Sequence, residues 1–430
     1  MLFVGLGSRD LLQNIDITYG LVVDVQSNNS LTDRLNTSNV EYMHQDIEDP
    51  ELLKSLIERG PFDVIVLKDT LGYLGDIQIF LKRLKHVCNP DTRLISVYYG
   101  YLWEPLLQLA ELLGLKEKSI PTTWLRMADV ENFMFLAGFE TVKREWRILC
   151  PFRLLGIGGL INRYVATLPI VRKLCLRHYL IARARPANEI SNNTVSVVIP
   201  CRNEKGNIAA AMSRLPKLGT HTEIVFVEGH STDGTWEEIQ RIINEYPDRD
   251  IKALRQSAEG KADAVRTAFD IAVGDILMIL DADLTVPPED LSKFLEIIAR
   301  GQGEYINGSR LIYGMEDQAM RFINYIANHL FAYVFTYLIN QRLTDTLCGT
   351  KVIKRKDYLR IAKNREYFGD FDPFGDFDLI FGASKLNLKI VEVPVRYASR
   401  RYGQTQISRF RHGLLLIRMV FFAYRKLKAI

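Results

Sequence analysis

Asp281 and Asp283 stand two residues apart, directly after the apolar run 276–280. In an extended chain, positions i and i+2 point to one side, so the two carboxylates can face one ligand. Carboxylates so placed suit Mg²⁺ or Mn²⁺, which take oxygen ligands. The ion would bridge the oxygens of a diphosphate and offset charge on a departing nucleotide. Two other apolar runs end in equally polar residues. Residues 195–199 lead into Pro200-Cys201-Arg202-Asn203-Glu204, and residues 223–227 into Glu228-Gly229-His230-Ser231-Thr232-Asp233. Ligands of open parallel sheets sit beyond the carboxyl ends of the strands, so these three ends are expected to line one pocket. Arg400 and Arg401 add a pair of guanidinium groups of the kind that grips phosphate oxygens, unless solvent simply covers them. His230 reads equally as a loop residue, and Asp345, just before Cys348-Gly349, equally as the cap of a turn.

The elements that must hold these residues follow from pattern. In the second half, strands are expected over 195–199, 223–227 and 276–280, and helices over 205–215, 235–246 and 261–272. In the first half, strands are expected over 2–4, 19–25, 62–67 and 93–98, and helices over 51–59 and 76–87. Such alternation indicates parallel sheets covered on both faces. The polar stretch 185–194, with Pro186 near its start, reads as a linker. The fold class is α/β, two Rossmann-like domains. Apolar helices over 321–339 and 409–428 complete the chain.

At 430 residues, two domains are expected. A hydrophobic content of 47% and a charged content of 25% are those of a globular protein rather than a fibre or a disordered chain. Charge is unevenly spread. Residues 393–430 hold nine Lys or Arg and no acid, and residues 143–185 hold ten and only Glu145. Basic and apolar together suggest an anionic membrane surface or an anionic substrate. The five cysteines are scattered and form no CxxC pair, against a disulfide framework or a zinc ribbon. The start of the chain does not read as a signal peptide, and no apolar run reaches the roughly 20 residues of a membrane span. Without a reading motif on the basic segments, nucleic acid is not an expected partner.

The segments VSVVIPCRNEKGNI, EIVFVEGHSTDGTWE and GKADAVRTAFDIAVGDILMILDADL, in that order, resemble the family 2 glycosyltransferases from about residue 195 to 408. The later pieces NGSR, DTLCGTKVIKR, FGDFDL and VEVPVRY resemble the polyprenyl-phosphate branch, which includes dolichyl-phosphate mannose synthase. The resemblance implies a GT-A fold and a metal-dependent, usually inverting sugar transfer from a nucleotide-sugar donor to a polyprenyl phosphate or lipid-linked glycan. It implies that Pro200, Arg202, Glu204, Glu228, Asp233 and Lys261 surround the nucleotide. Asp281, Ala282 and Asp283 would hold metal (Asp281, Asp283) and diphosphate, and Arg310 and Arg401 would meet phosphates. Asp345, Asp376 and Asp378 are the candidates for orienting or deprotonating the acceptor. Two positions depart from the family: Glu228-Gly229-His230 replaces the usual Asp-Asp-Gly, and Thr285 stands where the polyprenyl branch often has Gln. The alternatives are a soluble polysaccharide glycosyltransferase and an enzyme that both methylates and glycosylates one glycan.

In the first half, Gly5 and Gly7 form a glycine turn after a strand, with Asp24 at the end of the next strand and Asp46 beyond it. Such a turn lets backbone approach a cofactor, and the acid can hold ribose hydroxyls. With FDVIVLKDTLGYL at 62–74, the pattern resembles class I S-adenosylmethionine-dependent methyltransferases. The resemblance implies Gly5, Gly7, Asp24 and Asp46 as contacts of that cofactor, with a degenerate, positioning domain as the competing reading. The expected boundaries are 1–149, a connector 150–194, the transferase 195–408 and a membrane-interface helix 409–430. The expected setting is cytoplasmic, peripheral to the inner face of the cell membrane, with a homo-oligomer left open.

Overall fold

A computed structural model describes residues 1–5, 17–24, 39–115, 123–152, 154–186, 192–313, 322–367, 377–400, 402–403 and 409–429. Gly7, Asp376 and Arg401 lie outside the described residues, as does the side chain of Asp24. The chain divides into two compact units, Met1–Arg185 and Pro186–Lys428.

The first unit is a seven-stranded sheet of β1 Leu2–Gly5, β2 Gly20–Asp24, β3 Val40–His44, β4 Phe62–Lys68, β5 Cys88–Tyr99, β6 Phe139–Arg147 and β7 Arg177–Ala184, in the order β3-β2-β1-β4-β5-β7-β6. The strands from β3 to β5 run parallel. The expectation of a parallel sheet fails beyond β5, because β7 runs antiparallel to both β5 and β6. Residues 177–184, assigned to a connector from their charge, are that inserted strand. Its alternate residues His178, Leu180 and Ala182 are buried while Arg177 and Tyr179 are half-buried. Helix α1 (Pro50–Arg59) starts on Asp49, whose carboxylate accepts from the Glu51 amide at 2.9 Å. Helix α2 (Ile77–Leu84) starts on Asp76, which accepts from the Ile79 amide at 2.8 Å. It buries Ile77, Phe80, Leu81 and Leu84, the i, i+3, i+4, i+7 stripe of a helix laid on a sheet. Helices α3 (Glu104–Leu112) and α4 (Met127–Leu136) follow.

The second unit holds β8 Thr194–Cys201, β9 His221–Glu228, β10 Asp250–Arg255, β11 Ile276–Ile279, β12 Tyr305–Ser309, β13 Lys351–Lys354 and β14 Ile390–Pro394, ordered β10-β9-β8-β11-β13-β12-β14. It too is mixed, with β13 antiparallel to β11 and β12. Strand β8 shows why these strands are near-continuously apolar. Val195, Val197 and Ile199 enter one core and Val198 the other, so both faces are covered. One buried charge crosses the sheet: the Glu223 carboxylate accepts from Ser196, Lys252 and, at 3.0 Å, the Val273 amide. A buried carboxylate is tolerable only with such partners.

Helices α5 (Lys205–Arg214), α6 (Thr235–Glu245), α7 (Lys261–Ile271), α8 (Leu291–Ala299), α9 (Phe322–Ile339), α10 (Arg355–Lys363), α11 (Phe377–Lys385) and α12 (Arg409–Leu427) complete the unit. The last packs on α9 through Leu416, Met419, Ala423 and Leu427, and leaves Leu414, Ile417 and Phe421 exposed on its other side. Among the described residues, no helix is long and apolar enough to cross a membrane.

Candidate active site

In the second unit β8 lies between β9 and β11, so its carboxyl end is the point where the strand order reverses and a crevice opens. Strand β8 ends on half-buried Pro200 and buried Cys201, and the chain then passes exposed Arg202 and half-buried Asn203, whose φ of +55° turns it into α5. The Asn203 side chain accepts from the Thr232 amide, and its own amide donates to Ser231 Oγ, both at 2.9 Å. The loops after β8 and β9 are thereby fastened together. Glu204 is buried, with Oε2 accepting from Asn207 Nδ2 at 2.6 Å and Oε1 from Arg400 Nη1 at 3.0 Å. Burial pushes its carboxyl up to about 7, against the pull of Arg400.

At the end of β9, buried Glu228 accepts from the Ser231 amide and lies 3.9 Å from Arg255. The longer side chain at this departure from the family thus turns back to cap its own loop. His230, at φ +56°, faces the Ala258 carbonyl at 3.3 Å. Asp233 organises three segments. Its Oδ1 accepts from the Thr235 amide at 3.0 Å, and its Oδ2 from the Lys205 amide at 3.2 Å and from Tyr402 Oη at 3.3 Å. Partial burial opposes ionisation, but the bonds from Thr235 and Lys205 hold its carboxyl below the usual value.

The end of β11 carries the paired carboxylates, each matched by one cation. Lys261 Nζ lies 2.6 Å from Asp281 Oδ1, and Arg400 Nη2 donates to Asp283 Oδ2 at 2.7 Å. Between them Ala282 is buried, and Asp283 Oδ1 is fixed by the Thr285 amide and hydroxyl at 3.1 and 2.8 Å. Burial raises the Asp281 carboxyl, and the Lys261 ammonium more than reverses this, leaving it below its ordinary value. Sequence reasoning missed two residues here. A Cβ on Gly349 would fall 1.8 Å from Asp281 Oδ2, so only glycine lets that backbone pass. Buried Lys351 holds the turn in place by donating to the Cys348 carbonyl at 2.7 Å and to Asn307 Oδ1 at 2.9 Å. The glycine two residues before an apolar-flanked lysine was the available signal.

Arg310 and Asp345 face each other in a fork, Nε to Oδ2 at 2.7 Å and Nη2 to Oδ1 at 2.8 Å. The Arg310 and Leu347 amides donate to the same carboxylate at 3.0 Å each. Asp345 is fully buried and all four of its acceptor positions are used, so it is placed to fix Arg310. Asp378 belongs to another cluster, 3.1 Å from Arg266 and 3.5 Å from Arg365, where burial raises its carboxyl despite the two cations.

Asp281 and Asp283 are hard oxygen donors, and among the described residues no group of three or more His, Cys, Asp or Glu competes for a metal. A divalent ion here would complete its shell with diphosphate and water oxygens, the habit of Mg²⁺ beside substrate phosphates. The cations already on both carboxylates show that the site is built for charge pairing, so residues and ion fit.

In the first unit β1 likewise lies between β2 and β4. At its end Gly5 has φ +123°, and a Cβ there would fall 2.0 Å from the Lys68 carbonyl oxygen and 2.6 Å from Thr70 Oγ1. Thr70 Oγ1 donates to the Val4 carbonyl at 2.8 Å. Asp46 is exposed and accepts from the Glu48 amide at 3.0 Å. Nearby, Asp69 lies 2.5 Å from Arg177, whose guanidinium carbon is 3.7 Å from the Tyr99 ring centre.

Residues 196–361 match the family described as Glycosyl transferase family 2. A dolichol-phosphate mannosyltransferase of Pyrococcus furiosus is 40% identical over 123 residues, 28% of this chain and 34% of that protein. An undecaprenyl-phosphate 4-deoxy-4-formamido-L-arabinose transferase of Edwardsiella ictaluri is 24% identical over 216 residues, 49% of this chain and 62% of that one. The chain thus spans less than two thirds of the length of these relatives. A mannosyltransferase from Pyrobaculum calidifontis, solved with GDP-Man and Mn²⁺, has a TM-score of 0.38 at 18% identity, covering 56% of this chain and 65% of its own. That likeness is too partial to bear on function. The sequence match and the carboxylate-bearing strand ends coincide in one place: the second unit carries a family 2 glycosyltransferase domain.

Proposed function

We propose that the second unit is a metal-dependent GT-A glycosyltransferase that moves a sugar from a nucleotide-sugar donor to a polyprenyl phosphate or lipid-linked glycan, with inversion at the anomeric carbon. The observation that carries this is the pairing of Asp281 with Lys261 and Asp283 with Arg400 at the sheet's reversal point. When bound there, Mg²⁺ or Mn²⁺ supplies charge neutralisation for the leaving nucleoside diphosphate. The loops held by Asn203 and Asp233 wall the nucleotide, and Lys261 and Arg400 turn from carboxylate to diphosphate. Arg310, its fork fixed by Asp345, offers charge to a phosphate of donor or acceptor. A phosphate acceptor is already an anion and needs little help from a base, which agrees with a fully bonded Asp345. The names of the two relatives and the exposed apolar sides of α9 and α12 support a lipid-linked acceptor at a membrane surface, and the proposal places the enzyme on its cytoplasmic face.

The test is transfer from labelled nucleotide sugars to a polyprenyl phosphate, with and without Mg²⁺ or Mn²⁺. Product should require the ion and vanish in Asp281→Asn with Asp283→Asn. Undiminished transfer by that double variant would sink the reading.

For the first unit the strand order supports a methyltransferase-like scaffold. Gly5 is the described part of the glycine turn, and there only glycine lets the chain pass the Lys68 carbonyl and Thr70. Calorimetric titration with S-adenosylmethionine separates the two readings of this unit: a saturable isotherm makes it a cofactor-binding domain, and a flat one a positioning scaffold.

A further inference from the structure

Helix α3 buries none of its residues. Leu106, Leu109, Leu112 and Leu113 stand exposed along it, Leu112 at 82%. A helix normally hides such a stripe against a core. A second stretch of the same unit does likewise. Between residues 154 and 174 the chain makes four short helical turns in succession. These expose Leu155, Ile157, Leu160, Leu168 and Ile170, the last at 82%. The two stretches form one surface, because Trp103 Nε1 donates to the Leu174 carbonyl at 2.8 Å and the Gly100 amide to the Leu176 carbonyl at 2.8 Å. Contiguous apolar surface of this kind marks an interaction site.

Charge says what covers it. From residue 146 to 188 there is no Asp or Glu, and exposed Arg163 and Lys173, with half-buried Arg172, stand among the exposed aliphatics; Arg163 Nε donates to the Ala429 carbonyl at 3.0 Å. Arg163 lies over the Tyr164 ring and Arg172 over the Trp146 ring, at 5.8 and 4.6 Å. On α3 the acids are Glu104 and Glu111, and Glu104 accepts from Gln108 at 3.2 Å. Exposed Tyr101 and Tyr164 border the patch. Aliphatic tips, interfacial tyrosines and basic flanks are the composition of a surface that lies in a bilayer interface. A second copy of the chain fits worse, since a two-fold contact would bring Arg163, Arg172 and Lys173 against their own counterparts.

We infer that this face of the first unit is a docking surface for an anionic phospholipid bilayer. Leu112, Leu155 and Ile170 enter the acyl boundary, and Arg163 and Lys173 meet lipid phosphates. The inference does not rest on sugar transfer and concerns residues apart from α9 and α12.

The experiment is flotation of the full chain with vesicles of phosphatidylcholine, with and without phosphatidylglycerol. The unaltered protein should float with the anionic vesicles and be released by salt. Ile157→Glu with Ile170→Glu, and Leu109→Glu with Leu112→Glu, should each lower the bound fraction about tenfold. Nucleotide-sugar hydrolysis by these variants should stay unchanged, which shows the second unit intact. Arg163→Gln with Lys173→Gln, which leaves the apolar residues in place, should remove the preference for anionic vesicles even if a glutamate variant fails to fold. Failure of the unaltered protein to float, or flotation indifferent to all three pairs, overturns the inference. So does a dimer in solution that dissociates in the Ile157, Ile170 variant without any lipid binding. Flotation without sugar transfer would sink the proposed reaction and leave this surface standing.

Discussion

Two carboxyl-end crevices are built on one plan in this chain. In each unit the first strand of the sheet lies between the second and the fourth, β1 between β2 and β4, β8 between β9 and β11. What fills them differs. Behind β8 and β11 stand Glu204, Asp281 and Asp283, each at contact distance from Lys261 or Arg400. Behind β1 the space beside Gly5 is taken by the Lys68 carbonyl and Thr70. Strand order supplies a place for a ligand, and chemistry is argued from the side chains at the strand ends, which in the second unit are paired charges.

The two crevices should respond differently when the charges of one are neutralised and the backbone of the other is perturbed. Asp281→Asn with Asp283→Asn should cut kcat/KM for sugar transfer by roughly 10³-fold or more, since charge neutralisation by a metal is worth several kcal/mol. Gly5→Ala should leave that number unchanged. If the Gly5 variant cripples transfer while the double variant does not, the roles assigned to the two crevices are reversed.

The next effect is on stability. Asp345→Asn leaves the Arg310 guanidinium buried beside a neutral amide, and loss of one partner of a buried pair costs about 3–5 kcal/mol. Tm of the second unit should fall by roughly 10 °C, read by calorimetry. A variant as stable as the parent that had lost all transfer would instead make Asp345 a base. For Gly5→Ala, an alanine at φ +123° against the Lys68 carbonyl should cost about 1–3 kcal/mol in urea unfolding.

The strand ends were legible in the sequence because they combine two local signals, an apolar run buried on both faces and an abrupt polar turn. The runs before Pro200, Glu228 and Asp281 are β8, β9 and β11 nearly residue for residue. The strands that reverse direction were not legible. Residues 177–184 start by alternating, with His178, Leu180 and Ala182 buried, but Arg177 and Arg183 on the other positions and the basic residues before them made the segment look like a connector. Residues 351–354 are a four-residue strand bracketed by two lysines, one of them, Lys351, buried. The partners within the site were also hidden. Arg400 meets Asp283 across 117 residues of chain and Gly349 clears Asp281 across 68, and a long-range contact leaves no periodicity to read.

Each unit also has an aspartate at the start of a helix, and the two differ in what else they hold. Asp76 and Asp233 each hold the start of a helix, Asp76 through the Ile79 amide and Asp233 through the Thr235 amide. Replacing Asp76 by alanine removes one capping bond and should cost about 1 kcal/mol of stability, whereas Asp233, one residue before the Gly234 cap of its helix, gives up several bonds. Asp233 also holds the Lys205 amide and the Tyr402 hydroxyl, so its loss loosens the loops after β8 and β9 together. Asp76 has no such second duty. Asp233→Ala should therefore lower Tm at least as much as Asp76→Ala, and it alone raises KM for the nucleotide sugar, measured beside an unchanged Asp76→Ala. Equal kinetics in the pair would mean that the β9 loop caps a helix and nothing more, and that the nucleotide wall lies elsewhere in the second unit.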